Sequence, residues 1–188
     1  YKREPSFPIA VACDPAFNFV YEANIRYLHH LGEVTYFSPL ADTSLPDAGF
    51  VYLPGGYPEL YLAALSANRQ MLQSIRRYVE SGGKLLAECG GMMYLCDEIR
   101  DKNGYVYPMA GVLHQSATME NMKLRLGYRT LLYNETRLKG HEFHYSRLVE
   151  QQNPLPSCAV AYTAKGVETD TPLYHYKNVW AGYTHLYW

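Results

Sequence analysis

The sequence predicts an α/β fold in three layers: a parallel β-sheet covered by helices, with mostly antiparallel strands contributed by the second half of the chain. Three observations point to it. Apolar runs of strand length alternate with helix-periodic segments from Phe7 to about Asp101. The early runs are apolar almost throughout, as strands buried on both faces must be. After Asn103 the texture changes to short β-rich runs divided by turn residues.

In order, Phe7-Pro-Ile-Ala-Val-Ala-Cys13 is the first buried strand. Residues 18–31 place Val20, Ala23, Tyr27, Leu28 and Leu31 near one helical face, with Asn18 as the N-cap and Gly32 as the stop. Glu33-Val-Thr-Tyr-Phe-Ser38 is the second strand and Gly49-Phe-Val-Tyr-Leu-Pro54 the third, running into Gly55-Gly56-Tyr57-Pro58-Glu59. Residues 59–81 read as one largely helical stretch with Leu62, Leu65, Met71, Leu72, Ile75, Tyr78 and Val79 as its apolar positions, ended by Gly82-Gly83. Lys84-Leu-Leu-Ala-Glu88 is the fourth strand; after Cys89-Gly90-Gly91, residues 92–101 continue as a helix up to the Asn103-Gly104 turn. Beyond it, strands are expected at residues 105–109, 126–133, 141–145, 158–162 and 179–185.

A chain of 188 residues suits one domain, since folding at this length buries roughly 70% of the unfolded chain's surface. Seventeen Lys and Arg balance 18 Asp and Glu without a basic run, which argues against nucleic acid or an anionic membrane as partner. No apolar stretch is long enough to span a bilayer, and Tyr-Lys-Arg-Glu-Pro at the start lacks the apolar core of a signal peptide, so the cytoplasm is the default location. Of Cys13, Cys89, Cys96 and Cys158, three read as small apolar residues. The chain opens on Tyr1 and stops at Trp188, which reads as a piece of something longer.

Cys89 stands apart because it lies at the tip of a strand–turn–helix flanked by the small residues Ala87 and Gly91. Such an elbow strains the backbone and exposes the thiol, and a helix N-terminus favours the thiolate. A cysteine nucleophile needs a base, usually imidazole. Of seven histidines, His29, His30, His114 and His175 read as surface or structural groups, leaving His185 first and His144 second. His141 and His144 would point to opposite faces of a strand, so they do not make a metal pair. Gly90 and the Gly55-Gly56 turn are candidate oxyanion donors. Glu88 should point away from Cys89 along the strand and serve a structural role.

Several independent segments together resemble the C-terminal glutaminase domain of the cobyrinate a,c-diamide synthase family. They are Ala-Cys-Asp-Pro-Ala-Phe-Asn-Phe, Leu-Pro-Gly-Gly-Tyr-Pro-Glu-Leu-Tyr, Leu-Ser-Ala-Asn, Ala-Glu-Cys-Gly-Gly-Met-Met-Tyr-Leu, Pro-Met-Ala-Gly-Val-Leu and Gly-His-Glu-Phe-His-Tyr-Ser, spread over nearly the whole chain. The resemblance implies a class I glutamine amidotransferase fold, a flavodoxin-like parallel sheet with antiparallel C-terminal strands, over residues 1–188. It implies Cys89 as nucleophile, His185 as general base, and Gly55, Gly56 and Gly90 around the oxyanion, with His144 and Glu59 as secondary site residues. L-glutamine is then the substrate, and no cofactor binds in this chain. Its partner would be an N-terminal synthetase domain of the same polypeptide, which uses ATP and Mg2+ and carries the phosphate loop that this chain lacks; a homodimer is also allowed. Two departures stand out: Tyr187 replaces the glutamate that many such enzymes place two residues after the histidine, as in similar corrinoid amidases, and Met93 replaces a frequent glutamine. The acceptor could equally be hydrogenobyrinate or nickel sirohydrochlorin. The rival readings are a Cys-His hydrolase of γ-glutamyl substrates and an inactive partner module.

Overall fold

The computed structural model describes residues 7–188, so the opening Tyr1–Pro5 stretch read above lies outside the described residues. Five parallel strands form the centre: β1 (Pro8–Ala12), β2 (Glu33–Phe37), β3 (Phe50–Leu53), β4 (Lys84–Glu88) and β14 (Val179–Gly182). They lie in the order β14-β4-β3-β1-β2, and β13 (Leu173–Tyr176) adds an antiparallel edge beside β14. Period-two alternation gives this sheet two buried faces. Ala10, Ala12, Val51, Leu53, Leu85 and Ala87 face one core, whereas Ile9, Val11, Tyr52 and Leu86 face another.

The first core is covered by α2 (Leu62–Ala67), α3 (Arg69–Glu80) and α4 (Gly90–Leu95), the second by α1 (Glu22–Leu31) through Leu28. In α3 the buried residues Met71, Leu72, Ile75 and Val79 form one stripe at helical spacing. A four-stranded sheet joins β5 (Glu98–Arg100), β6 (Val106–Pro108), β7 (Ser116–Thr118) and β10 (Arg147–Leu148). A five-stranded sheet is built from β8 (Arg125–Tyr133), β9 (Thr136–His144), β11 (Val160–Thr163), β12 (Glu168–Thr169) and β15 (His185–Leu186). The predicted three-layer architecture, with its parallel core and antiparallel second half, is therefore present.

Three local expectations need correction. The helix predicted over residues 18–31 begins only at Glu22, with Tyr21 rather than Asn18 as its N-cap. Phe19 N–H instead donates to Gly55 O at 3.1 Å and Tyr57 N–H to Ala16 O at 3.0 Å, so residues 14–20 are held as a loop over the third strand's end. Val20, Tyr27 and Leu31 are consequently exposed, and α1 buries Asn24 and Leu28. The stretch 59–81 is broken into a 3-10 turn (Pro58–Leu60), α2 and α3; Asn68 sits between the two helices and its side chain accepts Met71 N–H at 3.4 Å. Finally, α4 stops at Leu95, and residues 98–100 form β5, where Ile99 alone turns into the core between two strands.

Candidate active site

Four strand ends converge. The loop after β1 delivers Phe19, the turn after β3 delivers Gly56 and Tyr57, β4 delivers Cys89, and the segment after β14 delivers His185. These residues, with His141 and Phe143 from β9, line a cavity of about 250 Å³. Open α/β sheets place their ligands at this edge, beyond the carboxyl ends of the strands.

Cys89 occupies the predicted elbow at φ 50° and ψ −108°, a conformation that side chains adopt at a cost. Its N–H donates to Gly182 O at 2.7 Å, which locks β4 to β14 at the turn. The neighbouring glycines are sterically demanded: a Cβ on Gly91 would lie 2.1 Å from Leu53 O, and one on Gly90 2.7 Å from Pro58 Cδ. The Cys89 thiol reaches 3.6 Å from Phe143 O.

His185 closes the other side of the cavity. A Cβ on Gly55 would fall 2.2 Å from His185 Cε1, so Gly55 is small because the imidazole lies on it. The Phe19 ring stands 4.4 Å from the imidazole, centroid to centroid. Gly56 lines the cavity at φ +156°, and a Cβ there would strike Ala16 O. Of the three glycines expected around an oxyanion, Gly56 and Gly90 thus border the thiol, whereas Gly55 lies under the His185 ring.

The electrostatics correct one expectation. Burial pushes the Cys89 thiol up, and the nearby carboxylates of Glu59, Glu88 and Glu142 add to this, against a smaller opposing pull from Gly90 N–H. The helix terminus does not win here. Burial also lowers His185 to about 4, helped by His141 and His144 and resisted by a hydrogen bond with the Phe143 carbonyl. Both shifts favour the neutral forms, a thiol on Cys89 and an imidazole on His185.

His144, the second candidate base, is not among the residues that line the cavity. Its Nδ1 faces Ser146 O at 2.7 Å and its Nε2 faces Glu142 Oε1 at 2.7 Å, so both ring nitrogens are engaged by oxygen acceptors. The ring stacks on Tyr183 at 3.6 Å. Glu142 is the hub of this network, bonded also by Arg129 Nε and Thr171 Oγ1, each at 2.6 Å. Burial pushes Glu142 up, yet hydrogen bonds from His144 and Thr171 and the Arg125 guanidinium bring it down to about 2. His141, three residues earlier, points instead into the cavity.

Glu59 sits in the 3-10 turn beside the site, and its Oε2 is buried with no hydrogen-bond partner among the described residues. Burial raises its carboxyl, while its own backbone N–H and His144 pull the other way. Glu88 points away from Cys89, as strand alternation predicts, and takes the Leu186 N–H and the Tyr52 hydroxyl. Phe19 and Tyr57 were not singled out for this site from sequence, whereas the segment Gly140-His-Glu-Phe-His-Tyr-Ser146, which holds His141, Glu142 and Phe143, reads as a shaper of the pocket or a face toward the expected synthetase domain. That segment did not reveal that Phe143 presents its carbonyl to the Cys89 thiol.

The remaining histidines fall elsewhere: His114 pairs with Asp97 at 3.2 Å, His175 stacks on Trp180, and His29 and His30 end α1 in solvent. Cys96 is buried as expected, but Cys13 is exposed.

Comparison with known proteins decides the family. Residues 8–188 match the CobB/CobQ-like glutamine amidotransferase domain. The chain belongs to that family. It is 40% identical over 185 residues to a hydrogenobyrinate a,c-diamide synthase of Pseudomonas aeruginosa, covering 95% of this chain and 41% of that protein. A cobyrinate a,c-diamide synthase of Fusobacterium nucleatum is 40% identical over 188 residues, with the same coverage of 95% and 41%. This glutamine amidotransferase domain therefore spans about 41% of the length of these curated relatives. Among solved structures, PurLQS from Thermotoga maritima superposes with a TM-score of 0.65 at 18% identity, over 96% of this chain and 87% of that one. A glutamine amidotransferase of the same organism gives 0.61 at 13% identity, over 95% and 75%. Both establish the class I amidotransferase fold. No helix among the described residues is long and apolar enough to cross a membrane.

Proposed function

We propose that this domain hydrolyses L-glutamine through a thioester on Cys89 and releases ammonia for ATP-dependent amidation of the a- and c-carboxylates of a cobyrinate-type corrinoid. The carrying observation is that a strained cysteine and an unprotonated histidine, 96 positions apart in sequence, face one cavity of a size to hold one amino acid. His185 takes the thiol proton as Cys89 Sγ attacks the side-chain carboxamide carbon. The oxyanion develops beside Gly90 N–H, with the Gly56 turn opposite. His185 then returns the proton to the amide nitrogen, the C–N bond breaks, and ammonia leaves. Water attacks the γ-glutamyl thioester with His185 as base, the C–S bond breaks, and glutamate and the thiol are regenerated.

Glu59 fits the substrate's α-ammonium. A buried carboxylate oxygen without a partner calls for a cation, and glutamine brings one. The aromatic rim of the cavity fits the partner. Phe19, Tyr57, Tyr128, Tyr145 and Tyr187 are all exposed, with Tyr128 at 72% and Tyr187 at 59%. Phe19 and Tyr187 meet through Tyr21, while Tyr128 packs on His141 and Tyr145 on Phe143. Such a patch around a cavity mouth suits the remainder of a longer polypeptide, where ATP and Mg2+ would act and the corrinoid would bind. The names of the relatives include both cobyrinate and hydrogenobyrinate synthases, which leaves the choice of acceptor to that remainder.

Ammonia release from free glutamine tests the reading. Cys89→Ala should abolish it while Cys96→Ala retains it; turnover by Cys89→Ala, or equal turnover of γ-glutamyl peptides without ammonia, would contradict it.

A further inference from the structure

Among the described residues no carboxylate is bonded to the His185 ring, and Tyr187, two residues on, carries an exposed side chain. Yet the backbone on which the imidazole rides is gripped from two sides by fully buried polar side chains. Glu88, 1% exposed, accepts the Leu186 N–H, the amide directly after His185, and its other oxygen accepts the Tyr52 hydroxyl. Asn24, 0% exposed, donates from Nδ2 to Leu186 O at 2.7 Å and accepts Trp188 N–H through Oδ1 at 3.0 Å. These grips come from two distant parts of the sequence, 98 and 162 residues before Leu186. Neither residue touches the cavity.

The placement of Glu88 matters most. It is covalently adjacent to Cys89 and ends β4, whose partner strand β14 leads directly into the His185 segment, with Gly182 opposite Glu88. One carboxylate therefore ties the peptide of the base to the strand of the nucleophile. Asn24 ties the next two peptides to α1, and β15 pairs His185 with His141 on the remaining side. A two-residue strand such as β15 has little rigidity of its own, since only a few ladder hydrogen bonds hold it. Holding a base within a few tenths of an ångström of its nucleophile is what such support achieves.

We propose that Glu88 and Asn24 are positioning residues that clamp the His185 backbone to the Cys89 strand, doing through peptide groups what a carboxylate on the imidazole does in a triad. This rests on the reading of Cys89 and His185 as the glutaminase pair. The clamp acts on the rate of the chemical step and not on substrate affinity, because its members lie behind the cavity wall.

The test is inactivation of the chain by the diazoketone analogue of glutamine, which alkylates the nucleophile, resolved into a maximal rate and a half-saturating concentration. Glu88→Ala should lower the maximal rate on the order of a hundredfold, the scale of a misplaced general base, with half-saturation shifted by less than about threefold. Glu88→Gln keeps an acceptor for Leu186 N–H and should restore most of that rate. Asn24→Ala should fall in the same direction by roughly tenfold. In a His185→Ala background, both alanine substitutions should have no further effect, because there is no imidazole left to position. Wild-type maximal rates in Glu88→Ala and Asn24→Ala, or equal losses with and without His185, would overturn the clamp. Should Glu88→Ala not fold, Asn24→Ala in the two backgrounds decides the matter. A wild-type chain that is not alkylated at Cys89 removes the glutaminase reading itself, an outcome distinct from a labelled wild type with an indifferent clamp.

Discussion

The surroundings of His185 favour its neutral imidazole. Burial, with His141 and His144 nearby, takes it from 6.5 to about 4. The acid limb of Cys89 alkylation against pH should accordingly lie near 4; a limb near 6.5 would mean that the imidazole is solvated and not held as described. The same shift sets a sign on stability. Between these two values the unfolded chain binds the proton that the folded chain refuses, so this residue's contribution is complete above 6.5 and is lost as pH falls toward 4. Glu59 makes a second residue-level prediction. If its unpartnered oxygen receives the α-ammonium, Glu59→Gln should raise KM for glutamine roughly ten- to a hundredfold, the range of a charged hydrogen bond. It should leave hydrolysis of the analogue lacking the α-amine unchanged. An equal loss on both substrates would assign Glu59 to the fold rather than to the substrate.

Among the elements, the elbow and the turn after β3 each depend on glycine for a different reason, and substitution should separate them. Gly91→Ala drives a methyl into the Leu53 carbonyl, backbone against backbone, and should destabilise the domain by about 3 kcal/mol or more, read as a lowered urea midpoint. Gly55→Ala meets only the His185 ring, which can move, so stability should change by less than about 1 kcal/mol while alkylation of Cys89 slows severalfold. Comparable destabilisation by both would contradict the idea that Gly55 seats the base. The strand–Cys–Gly–Gly order was legible in sequence because it is local: alternation, small neighbours and a helix start all lie within residues 84–95. The helix expected over residues 92–101 was not, because Glu98-Ile-Arg100 contains a single apolar residue, and only pairing with β6 and β7 shows which period it follows. The surroundings of His144 were hidden for a similar reason. Its partner Glu142 is two residues away, but the carboxylate is also held by Arg129 from β8 and by Thr171 from the loop before β13. The rise of the Cys89 thiol was equally hidden, since burial is supplied by β9 and the loop after β1.

At the scale of the whole molecule, an exposed aromatic rim surrounds the one cavity in which the four strand ends meet. Beside it lies a second groove of about 460 Å³, lined by Tyr21, Tyr128, Lys139 and Tyr187 and sharing His141 with the first. The curated relatives are more than twice as long as this chain, and a surface this apolar is suited to be covered. Within a full-length protein, Tyr128→Asp should leave alkylation of Cys89 within about twofold of wild type and release ammonia to solvent instead of into amide product. Unchanged coupling would place the partner elsewhere. Nothing in this half of the account affects the chemistry, which stands or falls on one atom.

That atom is Cys89 Sγ. Incubation of the chain with the diazoketone glutamine analogue, followed by peptide mapping by mass spectrometry, tests it directly. The account predicts one adduct, on Cys89, suppressed by excess L-glutamine and strongly slowed in His185→Ala, with the exposed Cys13 and the buried Cys96 unmodified. An adduct on any other cysteine that glutamine suppresses, or a Cys89 adduct indifferent to glutamine, would contradict it.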